Sequence, residues 1–501
     1  MNCSNISFIL NTCLKLDPGL RQKLLGNWFI DHKSEYRCKY RSSFVNSRLF
    51  HSSCLVSQSQ KDGITVLPSP QEVTLILRKN EFNKEFTTGS VKSYDSNQLA
   101  SNTPIEDTRS EAQCKMTPGL LMGVYDGHGG PACAQVISKR LLNYVAAALL
   151  PADVLHKYIK EQPRESLLDT FNDRVELIED LKVVYENSFN KYLLQLSEES
   201  NKRDVGASLE QGIMQLDNDL SMEVLEPFLK DGYLNQKTLS VAMSGAVTCV
   251  THIDGPHLHV ANVGDCNAVI GTKTEDNEWV AKKITKEHNS ENYDEIKRIW
   301  NEHPEAERKT VIRRDRLLGE LAPLRSMGDF RYKWSKKTLN DVAVPMMGKR
   351  AIPANYDTPP YLTAKPDIYY HRLTPKDKFL IIASDGLWDM MTPLQSVKLV
   401  GEHMKGKVFF NPLKLPRKNI QLGDINELLI HRKESLKSKP KDRNAATHLI
   451  RHAIGGTEYG VDHARLAHLL SLSPDVSRMF RDDMTVTVVY FDSEFLRQCP
   501  A

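Results

Sequence analysis

The sequence predicts an α+β layered domain, and three observations carry that prediction. Short apolar strands end in Asp-Gly at 120–127 and 379–386, and another, 484–491, opens directly after Asp482-Asp483. Asp254-Gly255 joins the β-rich runs 244–253 and 258–263, a strong hairpin signal. Long, charged, helix-patterned stretches at about 155–235, 286–309 and 402–440 separate the strands without alternating with them one for one, which argues against a repeating βαβ sheet.

In chain order, residues 1–60 are rich in Ser and in basic residues such as Lys15, Arg21, Lys23, Arg37 and Arg48, against few acids. That composition suits a mitochondrial transit peptide or, alternatively, a basic disordered tail. An N-terminal helical lead-in is expected over 61–94, because Ser69-Pro70-Gln71-Glu72 forms a capping box ahead of Val73, Leu75, Ile76 and Leu77. The strand 120–125 runs into Asp126-Gly127-His128-Gly129-Gly130, and Pro131 opens an amphipathic helix through Leu141 and Leu142. After Ser384-Asp385-Gly386, Thr392-Pro393-Leu394-Gln395 caps a further helix. Residues 493–501 read as a C-terminal tail.

Bulk properties exclude several classes. The apolar fraction of 40% and charged fraction of 26% are those of a soluble globular chain. A net charge of +3 over 501 residues gives no argument for nucleic acid. No apolar run reaches the roughly 18–20 residues of a transmembrane helix. The cysteines number nine, are scattered and include no Cys-x-x-Cys pair, so they read as reduced thiols. The chain holds no Gly-x-x-x-x-Gly-Lys-Ser/Thr loop, no His-Glu-x-x-His and no Gly-x-Ser-x-Gly elbow.

Asp126 and Asp385 stand at the C-terminal ends of apolar strands and Asp482 at the mouth of a third. If these strands share one sheet system, three carboxylates meet at one edge. Clustered carboxylates repel unless cations neutralise them, and oxygen-only ligation selects hard ions such as Mg²⁺ or Mn²⁺. Two such ions about 3.5–4 Å apart clamp a phosphoryl group for in-line hydrolysis. Taken singly, each Asp-Gly is more often a turn, and a lone His128 is more often a surface or packing residue.

The series GVYDGHGG (123–130), SGAVTCVTHIDG (244–255), VANVGDCNAVIG (260–271), ASDGLWD (383–389) and RDDMTVTVV (481–489) resembles the protein phosphatase 2C family, in order and spacing, over about 95–492. Longer stretches, DSNQLASNTPIEDTRS (95–110), TPPYLTAKPDIYYHRLTPKDKFL (358–380) and NAATHLIRHAIG (444–455), resemble its pyruvate dehydrogenase phosphatase branch.

The resemblance implies a β-sandwich of two antiparallel sheets flanked by α-helices, with two Mg²⁺ or Mn²⁺ ions per subunit at one end. Asp126 would bridge both ions with the Gly127 carbonyl beside it, and Asp385 and Asp482 would complete the ligands. Glu106 and Asp107 match the family's acidic pair, which acts mainly through water. His128 would protonate the leaving serine oxygen or, in the plainer alternative, only anchor its loop. This sequence departs from the family pattern at three places. Asn102 replaces the arginine that usually grips phosphate, Glu287 replaces an aspartate that supports a third metal beside Asp389, and GDCN (264–267) is expected to be structural. The branch further implies phosphorylated pyruvate dehydrogenase as substrate in the mitochondrial matrix. It also implies docking on the lipoyl domain of the dihydrolipoyl acetyltransferase core, with room for a regulatory subunit. The insertions near 155–235 and 402–440 are either docking surfaces or solvated helices. Competing readings are a broad-specificity cytosolic phosphatase and a catalytically dead binding subunit.

Overall fold

The computed structural model describes residues 67–500, apart from 162, 173–178, 200–203, 408–421, 424, 428, 431–440 and 458–459. The expected transit segment 1–60 and most of the 402–440 insertion lie outside the described residues.

The first described helix, α1 (Pro70–Arg78), starts on the expected capping box: Ser69 Oγ accepts from Glu72 N–H and Glu72 Oε2 from Ser69 N–H. Strands β1 (Phe82–Glu85) and β2 (Val91–Leu99) follow at once. The sheet therefore begins inside the segment expected as a purely helical lead-in. β1 is too short and polar (FNKE) to announce itself as a strand.

Besides two minor two-stranded ribbons (Ile312–Arg313 with Arg316–Leu317, and Gly456–Thr457 with Gly460–Val461), the remaining described strands are β3 (Thr108–Cys114), β4 (Leu120–His128), β5 (Leu168–Thr170), β6 (Gly245–Asp254), β7 (His257–Val263), β8 (Asn267–Lys273), β9 (Trp279–Lys283), β10 (Met327–Gly328), β11 (Asp367–Arg372), β12 (Asp377–Ala383) and β13 (Met484–Phe491). One sheet runs β1-β2-β13-β12-β8-β9; the other runs β11-β7-β6-β4-β3-β5, with β10 paired to β6. Every pairing is antiparallel. The hairpin at Asp254-Gly255 forms as read: Asp254 faces His257 across a turn in which Gly255 has φ +52°.

The two sheets pack face to face over Leu120, Met122, Val124, Val247, Cys249, Cys266, Leu380, Ile382 and Val489. Alternate residues of the same strands point outward. Leu121 and Tyr125 meet helices on one side, and Phe379, Ile381 and Val488 meet helices on the other. Strands buried on both faces lose the hydrophobic–polar alternation, which is why they read as plain apolar runs.

The helices over β4 and β6 are α2 (Ala132–Ala148), α3 (Ala152–Lys160), α4 (Glu179–Glu198), α5 (Val205–Asp231) and α6 (Gln236–Met243). The opposite layer holds α1, α7 (Pro393–Lys407), α8 (Ala445–Gly455) and α9 (His463–Ser471). Residues 493–498, expected as tail, form a last helix. No described helix is long and apolar enough to cross a membrane.

Candidate metal centre

β4 does not stop at Tyr125. Asp126, Gly127 and His128 continue its pairing, opposite Val247, Ala246 and Gly245. The turn begins only at Gly129 (φ +69°) and Gly130 (φ +113°). Asp126 and His128 therefore project from a strand still paired with β6, not from a loose turn. Gly127 is required by crowding, since a Cβ there would sit 2.4 Å from the Glu106 carbonyl oxygen.

From the facing sheet, β12 ends at Ala383 and Asp385 opens a single helical turn, Asp385–Trp388. Its neighbour β13 starts just after Asp482 and Asp483. A Cβ on Gly386 would lie 2.0 Å from the Asp483 carbonyl oxygen, so this corner also admits only glycine. Antiparallel pairing of β12 with β13 thus puts the end of one strand beside the start of the other.

Asp107, at the foot of β3, ties the two sheets together by accepting from Ser384 Oγ at 2.7 Å. Asp107 and Asp385 lie close enough for their charges to act on the Asp126 carboxyl.

The electrostatics of this cluster are those of crowded like charge. Burial, and then the charges of Asp107, Asp385 and Asp265, hold Asp126 well above the usual carboxylate range. Asp385 is raised likewise by burial and then by Asp265, Asp389 and Asp482. Burial followed by the charge of Asp483 pushes Asp107 up to about 7. Asp385 Oδ1 is buried without a hydrogen-bond donor. No three described His, Cys, Asp or Glu side chains stand as a ready-made cage; the carboxyls meet one another instead. Their all-oxygen donor set, mutual repulsion and orphaned oxygen fit hard divalent cations.

Other residues singled out in the sequence take definite places. Glu106 turns its Oε1 to the Gly130 N–H at 2.7 Å and so braces the glycine turn. Asn102 donates from Nδ2 to Asp483 Oδ2 at 3.1 Å, which engages its amide. Glu287 accepts from Lys283 and Asn267, both at 2.6 Å, and from Asn289. Burial would raise its carboxyl, but these partners hold it below the usual value. Asp389 lies at the exposed rim, near enough for Asp482 and Glu287 to raise it after the effect of desolvation.

Asp265, in the GDCN stretch expected to be structural, belongs to the cluster. Burial pushes it up to about 6, and its charge acts on Asp126, Asp385 and His128. Two further aspartates escaped the sequence reading. Asp483 accepts from the Ser101, Asn102 and Glu106 amides and so pins the loop before β3. Asp329 binds His128 Nε2 at 2.5 Å. Burial of His128 opposes its protonation, but the adjacent Asp329, aided by Asp265 and Glu106, leaves it above its ordinary value.

A sequence profile described as protein phosphatase 2C matches residues 179–423. The chain is similar to "[Pyruvate dehydrogenase [acetyl-transferring]]-phosphatase 1, mitochondrial" of Homo sapiens, at 42% identity over 452 residues, covering 85% of this chain and 83% of that protein. It is similar to phosphatase 2 of the same name and organism, at 40% identity over 460 residues, covering 87% and 86% of the two chains. A protein phosphatase 2C homolog of Schizosaccharomyces pombe is 32% identical over 430 residues, covering 84% of this chain and 85% of that one. The chain belongs to the protein phosphatase 2C family of metal-dependent serine/threonine phosphatases, and within it to the group of the pyruvate dehydrogenase phosphatases.

Proposed function

We propose that this phosphatase hydrolyses phosphoserine on the decarboxylating component of the pyruvate dehydrogenase complex in the mitochondrial matrix, using two Mg²⁺ or Mn²⁺ ions. The observation that carries the metal assignment is the convergence of Asp126 from one sheet with Asp385 and Asp482 from the other, where after burial the charge of Asp385 raises Asp126 and that of Asp482 raises Asp385. The relatives named above support the substrate and the compartment.

In this reading the Asp126, Asp385 and Asp482 carboxylates and the Gly127 carbonyl would hold the ions. Asp107 aligns Asp126 from behind, and Glu106 acts through the glycine turn. When bound, the ions supply charge to the phosphoryl oxygens and a water acidic enough to attack phosphorus. His128 gives the leaving serine oxygen its proton, a role suited to an imidazole held above its ordinary pKa. Asp265, Asp389 and Glu287 flank the same end and mark a weaker third cation position. Because the Asn102 amide is engaged by Asp483, phosphate orientation falls on the cations more than on an arginine-like clamp.

A site that reads little beyond phosphate needs selectivity from elsewhere. We assign docking on the lipoyl domain of the acetyltransferase core, and contact with any regulatory subunit, to surfaces outside the sandwich. The test is release of phosphate from phosphorylated pyruvate dehydrogenase complex and from a free phosphopeptide, each with Mg²⁺ and with chelator. Strict metal dependence with preference for the intact complex is expected. Equal rates on both substrates would remove the docking assignment, and activity in excess chelator would remove the metal centre.

A further inference from the structure

The loop 326–333 is built around one residue, Asp329. Its backbone takes a left-handed conformation, φ +51°, which is costly for a residue with a side chain and persists only where neighbours enforce it. They do so here from several directions. Asp329 N–H donates to the Ser244 carbonyl at 2.9 Å, and Tyr332 N–H to the Asp329 carbonyl at 2.8 Å. Asp217, buried on α5, accepts from Gly328 N–H at 2.8 Å and from Lys333 Nζ at 2.8 and 2.9 Å. Lys333 Nζ also donates to the Ser326 carbonyl at 2.9 Å, which closes the loop on itself.

The Asp329 side chain is thereby aimed at a single target. Its Oδ2 accepts from His128 Nε2 at 2.5 Å and from Ser326 Oγ at 2.6 Å. Space for this contact exists only because residue 245 is glycine: a Cβ there would lie 2.1 Å from Asp329 Oδ2 and 2.3 Å from His128 Nε2. A buried carboxylate, a hydroxyl that orients it and a vacated Cβ position all converge on one ring nitrogen of His128.

We propose that Asp329 is a positioning residue for phosphate-ester cleavage. It fixes the plane of the His128 imidazolium by holding Nε2–H, so that Nδ1–H faces the leaving oxygen and passes its proton to it as the P–O bond breaks, leaving the neutral ring with its remaining proton on Nε2. The logic is that of a carboxylate orienting an imidazole behind a proton transfer. The Asp217–Lys333 pair holds the loop in register, so one helix of the 155–235 insertion supports the site from behind. This inference rests on His128 acting as the general acid.

The Mn²⁺-loaded full-length protein tests it, with a phosphoserine peptide and p-nitrophenyl phosphate as substrates. Asp329→Asn should lower kcat on the peptide by about 10- to 100-fold, the loss of one hydrogen bond to a charged group, with KM nearly unchanged. On p-nitrophenyl phosphate, whose leaving group hardly needs a proton, the loss should stay below about threefold. Ser326→Ala should show the same selectivity more weakly, and decides the matter if Asp329→Asn does not fold. In a His128→Gln background, Asp329→Asn should add less than about twofold, because both residues then act through one proton transfer. Equal losses on both substrates, or losses that multiply in that background, overturn the proposal and leave Asp329 as a loop brace. If His128→Gln alone is unselective, the general-acid reading falls and this inference with it.

Discussion

Between α2 and α5, the Arg140 guanidinium reaches both oxygens of Glu223 at 2.6 and 3.1 Å, while Tyr144 donates to Asp219 at 2.6 Å. Ser188 and Gln215 supply further donors to the same two carboxylates. At the end of the sandwich, the charges that act most on Asp126 and Asp385 are all carboxylates. Both regions bury several ionisable groups, yet only the first supplies its own countercharge. A buried charge that a fold completes by itself holds helices together, and one left incomplete marks a place for a ligand. Stability and activity should therefore separate cleanly between the two regions.

The largest separation is expected at the cluster. Asp385→Asn should lower activity by at least about a thousandfold, since it removes a charged ligand from the catalytic ions. Its Tm in chelator should equal or exceed that of the wild type. A carboxyl held above its ordinary value costs stability at neutral pH, and asparagine removes that repulsion. Thermal melts with parallel phosphatase assays check both halves, and a clearly lower Tm would erase the contrast.

The reverse pattern is expected at the paired region. Glu223→Gln leaves Arg140 buried beside a neutral amide and should cost about 3–5 kcal/mol in denaturant unfolding. An Arg140→Met, Glu223→Leu double variant should recover much of that loss. The kcat of both variants at a temperature where they stay folded should remain within about threefold of wild type, because no network residue touches the reacting atoms.

Cation binding sharpens the comparison from the other side. Mn²⁺ at about 100 times its Kd should stabilise the wild type by roughly 2.7 kcal/mol, and Asp385→Asn by far less. Glu223→Gln should keep the full increment. A metal-induced Tm shift that is identical in all three proteins would place the ions elsewhere.

A smaller effect separates a third buried group. His448 lies tilted to His403 and edge-on to His452, at ring distances of 5.2 and 4.4 Å. Burial, then the charges of His452, His403 and Arg451, depress it to about 2 from an ordinary 6.5. Below pH 6.5 the unfolded chain takes up a proton that the fold refuses, so stability present above that pH is lost as pH falls. The slope from this group is about 1 kcal/mol per pH unit. His448→Leu should flatten the loss between pH 6.5 and 5, measured by urea unfolding.

The sequence made the strands and the three central aspartates plain for the same reason: an apolar run bounded by a charge is conspicuous. It ended the strand at Tyr125, short of Asp126-Gly127. The same dipeptide makes a real hairpin at Asp254-Gly255, whereas Asp126-Gly127 stays in strand and its glycine serves close packing on Glu106. Only the tertiary neighbour distinguishes them. Asp265 stood in a stretch expected to be structural, and nothing local shows that β7 and β8 carry it to Asp126. Asp483 adjoins Asp482, but its carboxylate serves the Ser101–Asn102–Glu106 amides while Asp482 faces solvent at the cluster. Asp329 was invisible because its partner lies 201 residues away.

Burial of the thiols has a redox consequence. Cys249 and Cys266 sit between the sheets, and Cys133, at the start of α2, would be met by any side chain at residue 328. Burial first, and for Cys133 and Cys266 nearby aspartates as well, pushes all three thiols upward, away from the thiolate that oxidants and alkylating agents attack. The sulfurs nearest the chemistry are thus the least reactive, and an oxidative burst leaves the catalytic end without a sulfenic acid to repair. Among the described cysteines, the partly exposed Cys499, far along the chain from the catalytic strands, is the one that iodoacetamide should label first in the native protein.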